Sequence, residues 1–287
     1  MSKAELQTTL SPNHRRLLEH AVRRLESQDF AGRLADYAGQ PVTHAFRLAP
    51  RVATAQFNRV VEGAILNCLD VAIKSIKPQS RRPPANRVSS MLVGVTGGVS
   101  GFFGFTALPL ELPVTTTLML RSIADIARHH GEDLSTLEAR LACVEVFALG
   151  APRNGRRADF GYYASRALLN RLASDASTAL AERAASNVAA PVVGGFVTEV
   201  ATRFGLVVSE RTAASAVPVL GALGGATVNV IFMSHFQKVA QGHFAIRRLE
   251  RHYGEALIRG HYAELAQSVV KPGRGLTRPN RRRAPGA

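Results

Sequence analysis

The segment that decides the fold reads VTTTLMLRSIADIARHHG and runs from Val114 to Gly131. Apolar side chains recur along it at helical intervals, a pattern typical of a helix that buries most of its surface. Gly131 is predicted to end this helix, because glycine readily adopts the left-handed backbone that closes many helices. The segment therefore predicts one apolar helix over about residues 114–130.

Polar residues on this helix form a single stripe. Thr117, Arg121, Asp125 and Arg128 follow one another at spacings of four, four and three. Residues at those spacings share one face of a helix, and the spacing of Arg121 and Asp125 suits an ion pair. The stripe therefore predicts that one face of an otherwise apolar helix is polar.

Helical spacing also extends towards the N-terminus. Ser11 and Pro12 are predicted to open a first helix, since a capping serine followed by proline is a common helix start. Apolar residues recur at helical intervals over residues 52–76, which predicts a second helix. Pro109 and Pro113 are then predicted to break the chain just before the helix that starts at Val114.

Towards the C-terminus the same pattern continues. Ser135 and Glu138 form a capping box ahead of a helix that reaches Leu149. Further helices are predicted over 162–182, from about 188, up to Tyr253 with a stop at Gly254, and on to about Val270. No alternating pattern persists long enough to predict a strand.

The sequence thus predicts an all-α fold, a multi-helix bundle with two glycine-rich, uncharged helical hairpin segments. Its predicted organisation is a helical N-terminal region (1–77), a basic proline-rich linker (78–87), a helical domain (88–270) and a disordered basic tail (271–287).

The two glycine-rich segments, Val88–Leu110 and Thr212–Ser234, are each uncharged for 23 residues, long enough to span a hydrocarbon core. Their glycines are predicted to let another helix approach closely, either in lipid or in a tight contact of a soluble bundle. Because basic stretches adjoin these two uncharged segments, membrane contact is favoured over a tight contact in a soluble bundle. These glycines are Gly94, Gly97, Gly98, Gly101, Gly104, Gly221, Gly224 and Gly225.

Glu111 limits how the first glycine-rich segment meets a membrane. If residues 88–110 and 114–130 form a hairpin, Glu111 lies in its turn, where a carboxylate inside the bilayer costs several kcal/mol. Three alternatives follow: the hairpin enters only partway, Glu111 is paired, or the hairpin belongs to a soluble core that opens on binding.

The formal net charge of +15 is concentrated in two acid-free stretches, 74–87 and 271–283, which supply eleven of those charges. Such segments suit contact with a polyanion, either anionic lipid or nucleic acid. The residues predicted to make this contact are Lys74, Lys77, Arg81, Arg82, Arg87, Arg281, Arg282 and Arg283.

A possible functional cluster comprises Glu111, Arg121, Asp125, Glu138 and Glu145. These residues form either an acid–base cluster or an interhelical salt-bridge network that fixes register, and the salt-bridge network is favoured because nothing identifies a nucleophile or a leaving group. No common catalytic, nucleotide-binding or metal-binding motif is present, so the sequence predicts no catalytic residue, metal or cofactor. Cys68 and Cys143 suit buried, reduced thiols.

Several blocks of the chain resemble the EcsC family, a bacterial group, over roughly residues 85–255. The longest block is ELPVTTTLMLRSIADIAR at 111–128, followed by GEDL at 131–134 and RLACVEVFALG at 140–150. The remaining blocks lie at 101–104, 161–164, 216–222, 235–237 and 243–251. The resemblance implies an α-helical protein with membrane-linked work, since the namesake is encoded beside a transporter, and it carries over no catalytic residues.

The sequence predicts a non-enzymatic, membrane-associated helical protein that contacts anionic lipid at the cytoplasmic face of a membrane, with a membrane protein as a possible further partner. The cytoplasmic assignment rests on an N-terminus without an early apolar run. One alternative is a nucleic-acid-binding protein, disfavoured because aromatic residues are sparse. Another is an unrecognised enzyme that uses the acid–arginine cluster in a helical pocket.

Overall fold

A computed structural model describes residues 10–26, 30, 32–34, 55–75, 108–152, 161–181, 189–215 and 225–270 of the 287-residue chain. The described part contains eight long α-helices and no strand. They are α1 (Pro12–Glu26), α2 (Ala55–Ser75), α3 (Leu108–His129), α4 (Leu137–Leu149), α5 (Gly161–Ala181), α6 (Ala189–Ser215), α7 (Gly225–Tyr253) and α8 (Glu255–Val270). The predicted all-α multi-helix bundle is confirmed.

Helix α7 is the axis of the bundle, and α1, α3, α4, α6 and α8 all pack against it. Side-chain contacts between α3 and α7 keep their order along both helices, from Asn229 Nδ2 on Glu111 Oε1 (3.2 Å) to Gln237 Nε2 on Ser122 Oγ (2.9 Å). The two helices therefore run parallel. Helix α1 runs the opposite way, because Leu25 lies near Gly242 while His14 Nδ1 lies 2.8 Å from Tyr253 Oη.

The core is aromatic at its centre. Phe147, Phe204, Phe232 and Phe236 pack with ring centroids 4.9–6.1 Å apart, at the edge-to-face and tilted angles that aromatic pairs prefer. These four rings come from α4, α6 and α7, so the same cluster joins three helices.

A close approach of two helices depends on Gly242. A Cβ atom on Gly242 would lie 2.8 Å from Leu25 Cγ and 3.1 Å from the Ala21 carbonyl oxygen of α1. The absence of a side chain at residue 242 therefore sets how near α1 lies to α7.

Two helix ends agree with the sequence patterns and one does not. Gly131 and Gly254 have φ values of 83° and 88°, the left-handed conformation predicted for helix-ending glycines. The prediction that Ser135 caps α4 is wrong, because the Thr136 side chain accepts the hydrogen bond from the Ala139 amide (3.3 Å). The shift by one residue follows from Asp133, which accepts from the Ser135 amide and holds that residue in the preceding turn.

The prediction that Pro109 and Pro113 break the chain before Val114 is also wrong. Helix α3 begins at Leu108 and continues through Pro113 to His129. Pro113 removes the one intrahelical hydrogen bond that its N–H would donate to the Pro109 carbonyl, and the rest of α3 continues past it. The hydroxyls of Thr116 and Thr117 also donate to the Pro113 carbonyl, at 3.1 and 2.7 Å. The chain therefore makes no hairpin turn at residues 109–113.

Several predictions lie outside the described residues. They concern the linker at 78–87, the tail at 271–287 and the first glycine-rich segment up to residue 107. In the second segment, residues 212–215 end α6 and residues 225–234 begin α7, while 216–224 are outside the description. Of the helices that the structure describes, none combines the length and apolarity needed to cross a bilayer.

Candidate functional site

At the first of two polar sites, Glu111 joins three helices. Its carboxylate pairs with Arg211 of α6 and accepts a hydrogen bond from Asn229 of α7 (3.2 Å). Arg211 Nε donates in turn to Asn229 Oδ1 at 2.8 Å, so each residue contacts both of the others. We call Glu111, Arg211 and Asn229 the Glu111 triad. It ties the start of α3 to the end of α6 and the start of α7.

The Arg211 guanidinium of this triad is a buried cation. It lies over the Phe232 ring, 5.2 Å from the centroid, and is 5% exposed. Burial lowers the pKa of Arg211 below its ordinary value, although the Glu111 carboxylate opposes the shift. One carboxylate thus compensates only part of the cost of burying this charge.

The second polar site lies at the other end of α3 and α7. Glu132, just past the end of α3, accepts from Arg247 Nε (2.9 Å) and Nη2 (3.1 Å) and also pairs with Arg251. Burial acts to raise the pKa of Glu132, but the two arginines outweigh burial and lower it. Arg251 also donates to the His130 carbonyl (2.7 Å), so α7 holds the turn that follows α3.

A second group of ionic side chains lies beside Glu132, Arg247 and Arg251. Arg166 of α5 forms a two-pronged pair with Glu250, with both N–O distances 2.7 Å, and each side chain is only 8% exposed. Tyr163 Oη donates to the same carboxylate at 2.9 Å. Burial acts to lower the pKa of Arg166, but Tyr162 and Glu250 outweigh it and raise the pKa. We call the side chains of this end of α7 the charged end: Glu132, Glu145, Tyr162, Tyr163, Arg166, His243, Arg247, Glu250 and Arg251.

Three side chains of the charged end are buried with an unsatisfied polar atom. Among the described residues, Glu145 Oε2, Arg166 Nε and His243 Nε2 have no hydrogen-bond partner. Glu145 and His243 are 2% and 0% exposed. His243 Nδ1 is 2.9 Å from Tyr162 Oη. Burial raises the pKa of Glu145 from 4.5 to about 7, against the pull of Arg247 and Arg166. Burial, with the same two arginines, lowers the pKa of His243 well below 6.5.

The five residues of the sequence-predicted cluster are divided between these sites and the surface. Glu111 belongs to the triad and Glu145 to the charged end. Asp125 pairs with Arg128 rather than with Arg121, which is exposed. Glu138 is 79% exposed and lies 3.6 Å from Arg247. The five residues therefore do not meet in one place.

Both cysteines of the chain are buried. Burial raises the pKa of the Cys68 thiol to about 12 and that of Cys143 still further, so neither offers a thiolate near neutral pH. No group of three or more metal-ligating side chains occurs in the described part of the chain. Paired arginines and glutamates join neighbouring helices at both sites.

Sequence reasoning overlooked the partners of Glu111 and most of the charged end. Arg211 and Asn229 are distant in sequence, and no local pattern connects them with Glu111. A signal was available on α7, where His243, Arg247 and Glu250 follow at spacings of four and three. Polar residues at those spacings share one face, and on this helix that face is turned inward.

A comparison with protein-family models agrees with the family resemblance noted in the sequence. The family model described as the EcsC protein family matches residues 84–249, more than half of the chain. The match includes Glu111, Arg211, Asn229 and all of the charged end except Glu250 and Arg251. Neither the curated proteins nor the solved structures contain a significant match. The chain belongs to the EcsC protein family.

Proposed function

We propose that this protein acts, without catalysing a reaction, at the cytoplasmic face of a membrane, where its basic stretches contact anionic lipid and its uncharged segments contact the bilayer. Stretches of positive charge bind anionic head groups with about 1 kcal/mol for each residue near the surface. Uncharged segments beside them add apolar contact, and two such signals together anchor a protein more firmly than either alone.

One observation carries the proposal. The Glu111 triad brings together the start of α3, the end of α6 and the start of α7. The two glycine-rich segments are continuous in sequence with these helix ends. Both segments therefore join the described bundle at the same end, which supports a single face for membrane contact. Glu111 itself pairs with Arg211, so its carboxylate is compensated at this end.

Co-sedimentation with vesicles tests the proposal. We expect the full chain to sediment with vesicles that contain phosphatidylglycerol and to bind vesicles of phosphatidylcholine less well. Binding that disappears in high salt would indicate electrostatic contact alone. Binding that survives both salt and an alkaline carbonate wash would indicate insertion of apolar residues.

A charge-matched pair of variants makes the test specific. Replacing Arg281, Arg282 and Arg283 with glutamine removes three charges from the tail and should weaken binding to anionic vesicles. The control replaces Arg16, Arg59 and Arg171, three exposed arginines of the bundle, and should bind like the parent protein. Equal loss in both variants, or no binding by the parent protein at low salt, contradicts the proposal. A shift of duplex DNA at physiological ionic strength without vesicle binding would favour nucleic-acid binding instead.

A further inference from the structure

Exposed apolar side chains are unevenly distributed over the described bundle. Five large hydrophobic side chains are substantially exposed: Leu66 (48%), Val114 (51%), Leu168 (42%), Leu206 (42%) and Val230 (39%). Four of them come from α2, α3, α6 and α7, and only Leu168 comes from α5. Scattered apolar residues are normal on a protein surface, so their positions along the bundle decide whether they form a feature.

The contacts between helices place these four side chains in the part of the bundle that carries the Glu111 triad. Val114 is one turn beyond Glu111, and Val230 is adjacent to Asn229, the partner of Glu111. On α2, Leu66 is next to Asn67, whose amide donates to Thr117 Oγ1 at 3.1 Å. On α6, Leu206 lies between Phe204, which packs on Phe232, and Arg211. We call Leu66, Val114, Leu206 and Val230 the apolar band.

The four helices of the band form a closed ring. Helix α2 packs on α3, α3 on α7, α7 on α6, and α6 on α2. Each helix contributes one exposed apolar side chain, so the band surrounds this end of the bundle rather than lying on one flat face. A rigid partner protein covers one face of a bundle, whereas a fluid layer surrounds all four helices.

Each side chain of the apolar band lies in a helix run without charged residues. The runs 63–69, 112–120, 204–209 and 225–234 contain no aspartate, glutamate, lysine or arginine. On α3 the uncharged run lies between Glu111 and Arg121, which makes it about 13 Å long at the helical rise of about 1.5 Å per residue. A run of that length is much shorter than the hydrocarbon core, about 30 Å, and suits contact with the interfacial zone rather than a crossing.

A basic border follows the band on α7. Lys238 is exposed and lies two turns beyond Val230. Partial burial and the nearby charges of Arg33 and Arg24 lower the pKa of Lys238, which places three cations close together. Apolar side chains followed by cations along one helix match the order of acyl chains and anionic head groups in a membrane surface.

We propose that the apolar band enters the interfacial layer of an anionic bilayer, with the end of the bundle that carries the Glu111 triad pointing into the membrane. The inference rests on the proposed function and adds which described side chains contact lipid and how deeply. The opposite end, which includes Leu168 and the charged end of α7, then faces water. Contacts of Arg166 with Glu250 place Leu168 at that far end.

The chain contains no tryptophan, so single-tryptophan variants report local contact with lipid. Val114→Trp and Val230→Trp probe the band, and Leu168→Trp is the matched control of similar exposure. The probe is a phosphatidylcholine–phosphatidylglycerol vesicle with brominated acyl chains, which quench only nearby indole rings. We expect strong quenching and a blue shift for both band reporters and neither change for the control. Circular dichroism and a melting curve verify that each variant is folded.

The outcomes separate this inference from the proposed function. Sedimentation with vesicles without quenching at residues 114 and 230, or with equal quenching at residue 168, overturns the band and leaves membrane association standing. Failure to sediment overturns both. A second measurement uses Val114→Ser with Val230→Ser, for which we expect a loss of vesicle affinity of about tenfold or more. Leu168→Ser should leave the affinity unchanged, and an equal loss in that variant contradicts the inference.

Discussion

Two arginines buried at opposite ends of the same bundle have different surroundings. Arg211 pairs with the Glu111 carboxylate and donates to the Asn229 amide oxygen, and its pKa is lowered. Arg166 meets Glu250 beside two tyrosines, and its pKa is raised. Both side chains are similarly buried. The difference shows that the balance between desolvation and pairing is set by how many polar groups surround the ion pair.

The comparison also separates two roles for the ends of α7. The charged end holds three helices and a turn in register through several ionic contacts. At the other end, the Glu111 triad joins three helix ends, and Leu66, Val114, Leu206 and Val230 are exposed nearby. Four predictions test this contrast, from the largest expected effect to the smallest.

Arg166→Met should cause the largest loss of stability. It leaves the Glu250 carboxylate buried without its cation, and breaking such a pair costs about 3–5 kcal/mol. Urea unfolding followed by circular dichroism measures the change. Arg171→Met, an exposed site on the same helix, is the control and should shift stability by less than about 0.5 kcal/mol. Similar midpoints for the two variants would show that the charged end does not hold α5 in place.

Glu145→Gln should act in the opposite direction and depend on pH. Because the pKa of Glu145 is raised from 4.5 to about 7, the folded state holds a proton that the unfolded state releases. The carboxyl therefore destabilises the fold increasingly as pH rises from 4.5 to 7, with a full penalty of up to about 3 kcal/mol above that range.

Unfolding of Glu145→Gln and the parent protein at pH 8 and pH 5 measures this difference. We expect the glutamine variant to be clearly more stable at pH 8, with a smaller difference at pH 5. Glu138→Gln removes a carboxylate that is 79% exposed and should change little at either pH. A constant difference across this pH range would contradict the raised pKa of Glu145.

Glu111→Gln should destabilise the protein by about 2 kcal/mol, since it replaces the only carboxylate of the triad with a neutral acceptor. The measurement is again the free energy of unfolding. Glu199→Gln removes one partner of the more exposed Arg203 pair and should cost less than about 1 kcal/mol. If Glu111→Gln costs no more than Glu199→Gln, the triad does not fix the three helix ends.

Gly131→Ala and Gly254→Ala should each cost about 1 kcal/mol, because alanine is strained in the left-handed backbone of these helix ends. A Cβ atom meets only an ordinary contact at residue 131 and open space at residue 254, so strain alone is measured. Gly260→Ala, in open space within α8, should instead stabilise the protein slightly. Thermal unfolding compares the three variants, and a loss at residue 260 as large as at 131 would refute the argument.

The sequence by itself determined the helices and most of their ends. Apolar periodicity located α1 and α2, helices were also expected where α5, α7 and α8 lie, and the backbone freedom of glycine correctly marked Gly131 and Gly254. Local rules failed at Pro113 and Ser135. Pro113 removes only the hydrogen bond of its own missing N–H, and α3 continues past it. Ser135 and Thr136 could both cap α4, and the contact of Asp133 with the Ser135 amide decides in favour of Thr136.

Only the tertiary structure decided which polar residues meet. Glu111 and Arg211 are 100 residues apart, and their pairing depends on α3 lying parallel to α7 and beside the end of α6. The predicted cluster assembled residues by their nearness in sequence, and the fold turned Arg121 and Glu138 outward while burying Glu145. Periodicity specifies which face of a helix is apolar, whereas the identity of the helix that covers that face depends on long-range packing.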